Sequence, residues 1–225
     1  MARSEFDLPA MSRHFQAAIA ESEDDVEILA YCDAYDQICN LLCQMGRVFG
    51  FVEHDVHAKI TNLRKSSKEL MKTKPEMEAG VSVRQVVEME LAANGSVKGR
   101  HKKVNHHHWP FVVDLVRLHR ALDFVIRLID GIHSAEENES LVHIARGAYD
   151  AFLGPQHPFL VRQACHLSFH ALPSKIHCAN ILLGPLSLEE GEHHIKEALG
   201  YSRQAFSRME VLLMQDERVP HISQS

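Results

Sequence analysis

Apolar residues recur at spacings of three and four along nearly the whole chain, and no stretch alternates apolar with polar one by one. That rhythm predicts helix throughout. It places helices over 10–21, 25–46, 51–73, 81–93, 109–132, 140–153, 158–171, 174–183 and 187–217. The interruptions carry helix-ending chemistry. KTKPE stops the third helix at Pro75, and GPQHP at 154–158 makes a sharp corner. GPLSLEEGE supplies Pro185 and then Ser187 with Glu190 three residues on, a capping box for the last helix. NGSVKGRHKKVNHHH at 94–108 reads as a polar loop with two glycines. No repeat of fixed period and no long linker divides the chain. One all-α domain over 1–225 is expected, larger than a simple four-helix bundle.

The fifth helix holds an anomaly. VVDLVRLHRALDFVIRLI at 112–129 winds at about 100° per residue. His119, Arg120, Asp123, Arg127 and Asp130 gather on one side, the expected wet face. Leu115, Leu118, Ala121, Leu122, Val125, Leu128 and Ile129 gather opposite, and Arg117 and Asp114 fall with them. An unpaired buried guanidinium costs several kcal/mol, so Arg117 needs a partner. Asp114 on the same helix is one, and Asp55 across a helix interface is another. A third is an anionic ligand at the mouth of an apolar cavity. The periodicity leaves all three open.

The third helix adds a polar ridge of Asp55, Lys59, Asn62 and Ser66, bordering an apolar stripe of Val52, Val56, Ile60, Leu63 and Leu70. Asp55 and Lys59 read plainly as an i, i+4 ion pair worth a few tenths of a kcal/mol. Beside a cavity, Lys59 and Arg117 suit a phosphate, because a planar guanidinium donates two parallel hydrogen bonds.

Composition narrows the classes. At 225 residues, 45% hydrophobic and 24% charged, the chain can bury a sizeable core. A net charge of −6 gives no general reason to expect nucleic-acid binding. Five cysteines without a CxxC pair suit reduced thiols in the cytoplasm. The opening MARSEFDLPAMSRHF has no apolar core of the secretory-signal kind. No uncharged apolar run approaches the length of a membrane span.

The sequence offers no sign of catalysis. GxGxxG, GxxxxGK[ST] and GxSxG are absent, and no nucleophile stands at recognisable spacing from a base. HHHWP at 106–110 reads as a solvated loop rather than a metal tract. HLSFH spaces His166 and His170 as HExxH does but lacks its glutamate. Cys39 and Cys43 share a helix face and read as core. Neither cofactor nor metal is expected, and the chain is read as a non-enzyme.

DVHAK, RLHRALDFV and AYDAFLGPQHPF…ALPSK, in this order, resemble the glycolipid transfer protein superfamily. The closer likeness is to its ceramide-1-phosphate branch, which includes the accelerated-cell-death lipid transfer protein. The likeness covers roughly residues 20–215. It implies a two-layer all-α sandwich of eight to nine helices enclosing an apolar lipid pocket. It also implies non-enzymatic transfer of a sphingolipid between membranes. Asp55 resembles the aspartate that grips the sphingoid amide and its neighbouring hydroxyl, and His157 the histidine that donates to the acyl amide oxygen. Lys59, Asn62 and Arg117 stand where the glycolipid branch has asparagine, lysine and a sugar-stacking tryptophan. Lysine and arginine at the first and last of these resemble the phosphate branch. That branch carries a second arginine one turn before Arg117, where this chain has Val113, so a glycolipid stays open as the cargo. The basic loop at 98–103 is the other candidate donor. A helical partner-binding scaffold without lipid is the alternative of a different class.

A sphingolipid buries roughly thirty CH₂ groups at about 0.8 kcal/mol each, so only an extensive apolar lining offsets its leaving a bilayer. Candidates for that lining are Phe49, Val52, Val56, Leu118, Phe124, Phe152, Leu160, Phe169 and Leu172. Phe159 at the His157–Pro158 corner is expected to touch the bilayer. The expected partners are the lipid and a peripheral membrane surface, and the expected state is a monomer.

Overall fold

The computed structural model of the protein describes residues 5–46, 49–94, 110–134, 140–215 and 219. Nine α-helices occupy them: α1 Leu8–Ala18, α2 Ile28–Gln44, α3 Gly50–Thr73, α4 Val83–Asn94, α5 Pro110–Ser134, α6 Leu141–Phe152, α7 Phe159–Phe169, α8 Lys175–Leu183 and α9 Leu188–Leu213. Their ends follow local chemistry. Asp7 caps α1 by accepting from the Ala10 amide at 2.9 Å. The Glu27 carboxylate takes the Leu29 and Ala30 amides at the start of α2. The capping box at Ser187 and Glu190 forms as expected, and its hydrogen bonds hold the Glu190 carboxyl below its ordinary value. Pro75 ends α3 in a 3₁₀ turn over Pro75–Met77, and a second such turn over Gly154–Gln156 makes the corner after α6. The only strand-like pairing among the described residues is one bridge between Glu27 and Ser82, which ties the loop before α2 to the loop before α4.

Packing makes α5 the centre. It lies against α3, α4, α6, α8 and α9, so it has little free surface. Its first amides are satisfied from another helix: Glu90 of α4 accepts from Phe111 and Val112 at 3.0 and 3.2 Å. Burial still pushes the Glu90 carboxyl up. Arg64 of α3 bridges Asp33 and Asp36 of α2 at 2.6 and 2.5 Å. Arg208 of α9 donates to the carbonyls of Ile19, Ser22 and Asp25, pinning the end of α1.

The wet face expected on α5 is corrected by this packing. His119 is buried, because α9 covers that side. Its ring stacks on Phe206 with centroids 4.3 Å apart, and its Nε2 lies 2.7 Å from Glu210 Oε2. Asp130 is bridged to Arg203 of α9 at 2.9 Å.

Candidate functional site

Between the α2–α3 pair and the α5–α6–α7 group lies a cavity of about 250 Å³. Tyr35, Ile38 and Leu42 of α2 form one wall with Phe51, Val52 and Val56 of α3. Ala121, Phe124 and Val125 of α5, Tyr149 of α6, and Val161, Cys165, Ser168 and Phe169 of α7 form the other. Phe49, Leu153, Asp55 and His157 complete the lining. Phe124, Tyr149 and Phe169 pack ring against ring within it, with centroids 5.5–6.5 Å apart.

Of the proposed lining, Phe49, Val52, Val56, Phe124 and Phe169 reach this cavity. Four do not. Leu118 is in closed core, where its carbonyl accepts from the Tyr35 hydroxyl. Phe152 lies under the Arg127 guanidinium, 4.0 Å from its ring centre. Leu172 is half-buried at the edge of the core. Leu160 is 80% exposed, because Val161, Cys165, Ser168 and Phe169 take the inner face of α7 and Leu160 lies opposite.

Asp55 and His157 come to this one cavity from elements about a hundred residues apart in sequence. Asp55 projects from α3 with its carboxylate largely in solvent. His157 is fixed at the corner after α6, where Tyr149 Oη lies 2.7 Å from its Nδ1. Burial holds the imidazole below its ordinary value, against the pull of the Asp55 charge. Burial and the neighbouring Cys165 push the Tyr149 hydroxyl well up, so it keeps its proton. An O–H proton bonds more strongly to an imidazole nitrogen than to a thiol sulfur. With Tyr149 as the donor to Nδ1, His157 carries its proton on Nε2 and offers that N–H to a ligand. Sequence reading passed over Tyr149, although it lies in AYDAFLGPQHPF, because only the fold brings its hydroxyl back to the corner.

Lys59, Asn62 and Arg117 do not line the cavity; Lys59 is tied to the lining residue Asp55, and Asn62 and Arg117 act on Asp114. Lys59 is buried along its length and its Nζ meets Asp55 Oδ2 at 2.5 Å. Asn62 Nδ2 lies 3.4 Å from Asp114 Oδ2, linking α3 to α5. Burial raises the Asp114 carboxyl, while Asn62, Lys59 and Arg117 oppose that rise.

Arg117 is exposed, which corrects its expected inward placement. Periodicity assigns a direction to the Cα–Cβ bond, but a long arginine stem carries its charge out to water. No desolvation argument applies to it. Val113 is buried in the core, so the position of a second arginine is apolar here. The basic loop at 98–103 and the His106–His108 tract lie outside the described residues.

The rim is apolar on its outer side. Phe51 and Val161 line the cavity and are also exposed. Phe159 and Leu160 beside Val161, and Leu167 two turns on, are exposed as well. No helix among the described residues is long and apolar enough to cross a membrane.

An all-α body with an apolar cavity, a polar pair at its mouth and an apolar outer rim defines a class: a helical carrier for an amphipathic ligand. The chain belongs to the glycolipid transfer protein family, whose profile, Glycolipid transfer protein (GLTP), matches residues 26–183. The ceramide-1-phosphate transfer protein of Mus musculus is 27% identical over 87% of this chain and 85% of its own length. Accelerated cell death 11 of Arabidopsis thaliana is 25% identical over 81% of this chain and 82% of its own. The human ceramide-1-phosphate transfer protein, solved in complex with 12:0 ceramide-1-phosphate, superposes with a TM-score of 0.78 at 22% identity. That superposition covers 96% of this chain and 99% of the other. The fold is therefore the two-layer helical sandwich of this family.

Proposed function

We propose that the protein binds one sphingolipid and carries it between membranes without altering it, with a phosphorylated sphingolipid of the ceramide-1-phosphate kind as cargo. The observation that carries this reading is the convergence of Asp55 and His157 on one cavity. A sphingoid amide offers an N–H and a C=O. The Asp55 carboxylate accepts from the N–H and the nearby hydroxyl, and His157 Nε2–H donates to the oxygen. The chains then occupy the apolar space between the two layers. Lys59 and Arg117 supply positive charge for a phosphate, and the relatives that bind ceramide-1-phosphate support that headgroup. The protein acts as a cytoplasmic monomer that touches the bilayer through its apolar rim.

Val113 and Asp114 favour a second reading of the headgroup alone. With an apolar side chain at 113 and a carboxylate held to Asn62 at 3.4 Å, hydroxyls of a neutral sugar find acceptors beside the cavity.

Vesicle-to-vesicle transfer separates these readings. Fluorescent ceramide-1-phosphate is expected to move faster than spontaneous exchange, without nucleotide. Asp55→Ala lowers that transfer at least tenfold, and because it also strips the buried Lys59 of its ion-pair partner it lowers the melting temperature; Asp55→Asn, which keeps an acceptor for Lys59, lowers transfer with a smaller thermal loss. Transfer of phosphatidylcholine but of no sphingolipid sinks the amide-clamp reading. Faster transfer of a neutral glycosphingolipid than of ceramide-1-phosphate sinks only the phosphate assignment.

A further inference from the structure

On the side of α3 away from Asp55, three donor groups that lipid binding does not use come together. Cys39 of α2 and Glu53 and His57 of α3 bring a thiol sulfur, a carboxylate oxygen and a ring nitrogen within 4.8 Å of one another. Glu53 and His57 are one turn apart and share a face of α3. Cys39 faces them from the neighbouring helix, with its sulfur 4.0 Å from the Glu53 carbonyl. Cys39 and Glu53 are buried while His57 is exposed, so an ion reaches the group from the His57 side.

The donor types select the ion. Thiolate with imidazole is a poor set for magnesium or calcium, which take oxygen ligands. Thiolate, imidazole and one carboxylate oxygen together are a zinc set, with bonds of about 2.0–2.3 Å. Ligands at that radius around a tetrahedron stand about 3.5 Å apart. From within 4.8 Å of one another, the three atoms have only on the order of 1 Å to close to reach that separation. A carboxylate that ligates through one oxygen keeps its second oxygen for other bonds. The ligands lie on two helices, which is why no short spacing in the sequence announces them.

We propose that Cys39, Glu53 and His57 bind one divalent zinc-class ion, with water in the fourth position, and that the ion clamps α2 to the first turns of α3. On binding, the Cys39 thiol releases its proton to solvent and the sulfur takes the metal bond, so affinity rises with pH. The clamp bears on the lipid site, because the opposite side of the same turns of α3 carries Val52, Asp55 and Val56 into the cavity wall. It stands or falls independently of which lipid that cavity takes.

Cobalt is the probe. The full chain, stripped with a chelator, is titrated with Co²⁺ and followed by absorbance. One equivalent is expected to give the near-ultraviolet sulfur-to-cobalt band and the intense visible bands of a tetrahedral site. Zn²⁺ should displace it and raise the melting temperature. Cys39→Ser should abolish the near-ultraviolet band, and Cys43→Ser, one turn away, should keep it. His57→Ala alters an exposed position, so its fold is not at risk, and should weaken Co²⁺ binding at least tenfold. A chain that shows no thiolate band at one equivalent overturns the proposal. So does a band lost in Cys43→Ser but kept in Cys39→Ser, or a His57→Ala protein with unchanged affinity.

Discussion

Arg117 shows what a single residue reveals and what it hides. Helical periodicity puts its Cα–Cβ bond with the apolar side of α5, yet the guanidinium is exposed beside Asp114. No desolvation is relieved by removing it. Arg117→Leu should therefore change unfolding free energy by no more than about 0.5 kcal/mol, measured by chemical denaturation. Its effect on cargo is larger. A charge-assisted hydrogen bond to a phosphate is worth about 1.5–3 kcal/mol, so ceramide-1-phosphate transfer should fall at least tenfold. Neutral glycosphingolipid transfer should fall much less. Equal losses for both lipids would show that Arg117 does not read the headgroup. Asp55, Lys59, Asn62 and Arg117 were all singled out by their residue types and order. The Lys59–Asp55 pair was legible as well, being an i, i+4 pair within α3, but the Asn62–Asp114 link was not, because it depends on how α3 meets α5.

At the scale of elements, boundaries were legible because they are local. Pro75, the Gly154–Pro155 corner and the Ser187–Glu190 box each act within a few residues, and the helices end where those signals fall. Facing was less legible. Sequence reading gave α5 one wet side, but the central helix of this fold is covered on both, and His119 lies buried under Phe206 and Glu210. That burial has a pH signature. Desolvation holds His119 below its ordinary value of 6.5, only partly offset by Glu210. The unfolded chain then binds more protons than the folded one between 6.5 and that lowered value. His157 is depressed in the same direction. The two histidines therefore contribute stability that is lost as pH drops from about 7 toward 5, against the opposite contribution of the raised Glu90 and Asp114 carboxyls, and His119→Gln should reduce that loss in denaturation at stepped pH. An unchanged slope would place the titrating group elsewhere.

The helix α7 inverts the usual pattern, and its facing could not be read from hydrophobicity alone. Both of its sides carry apolar residues: Val161, Cys165 and Phe169 meet the cavity, while Phe159, Leu160 and Leu167 meet solvent. An exposed apolar stripe beside a ligand mouth marks a contact surface. Phe159→Ala and Leu160→Ala should each weaken binding to vesicles, read by sedimentation. Each should leave the melting temperature nearly unchanged, since neither side chain contributes much buried area. A drop of many degrees would assign these residues to the core instead.

For the molecule as a whole, the size of the cavity sets a requirement on the two layers. About 250 Å³ exceeds an engineered cavity of about 150 Å³ that holds one benzene, but not by a large factor. Two hydrocarbon chains of roughly thirty CH₂ groups need several times that space, since close-packed interiors leave no slack for them. If the proposed cargo places its chains there, loading is expected to part the α2–α3 wall from the α6–α7 wall rather than fill a preformed slot. The wall expected to move is the one whose outer face is least covered, and α7 has most of its residues exposed. Lipid that binds only the folded chain then stabilises it by about 2.7 kcal/mol at a hundredfold excess over Kd, or roughly 5–10 °C in melting temperature for a chain this long. Hydrogen exchange should show the largest gain in protection over α6 and α7, with α1 and its contacts to α2 and α9 little changed. Protection spread evenly over all helices would mean that the cargo tightens the whole sandwich. Protection confined to the rim, without thermal stabilisation, would mean that the chains never enter the cavity.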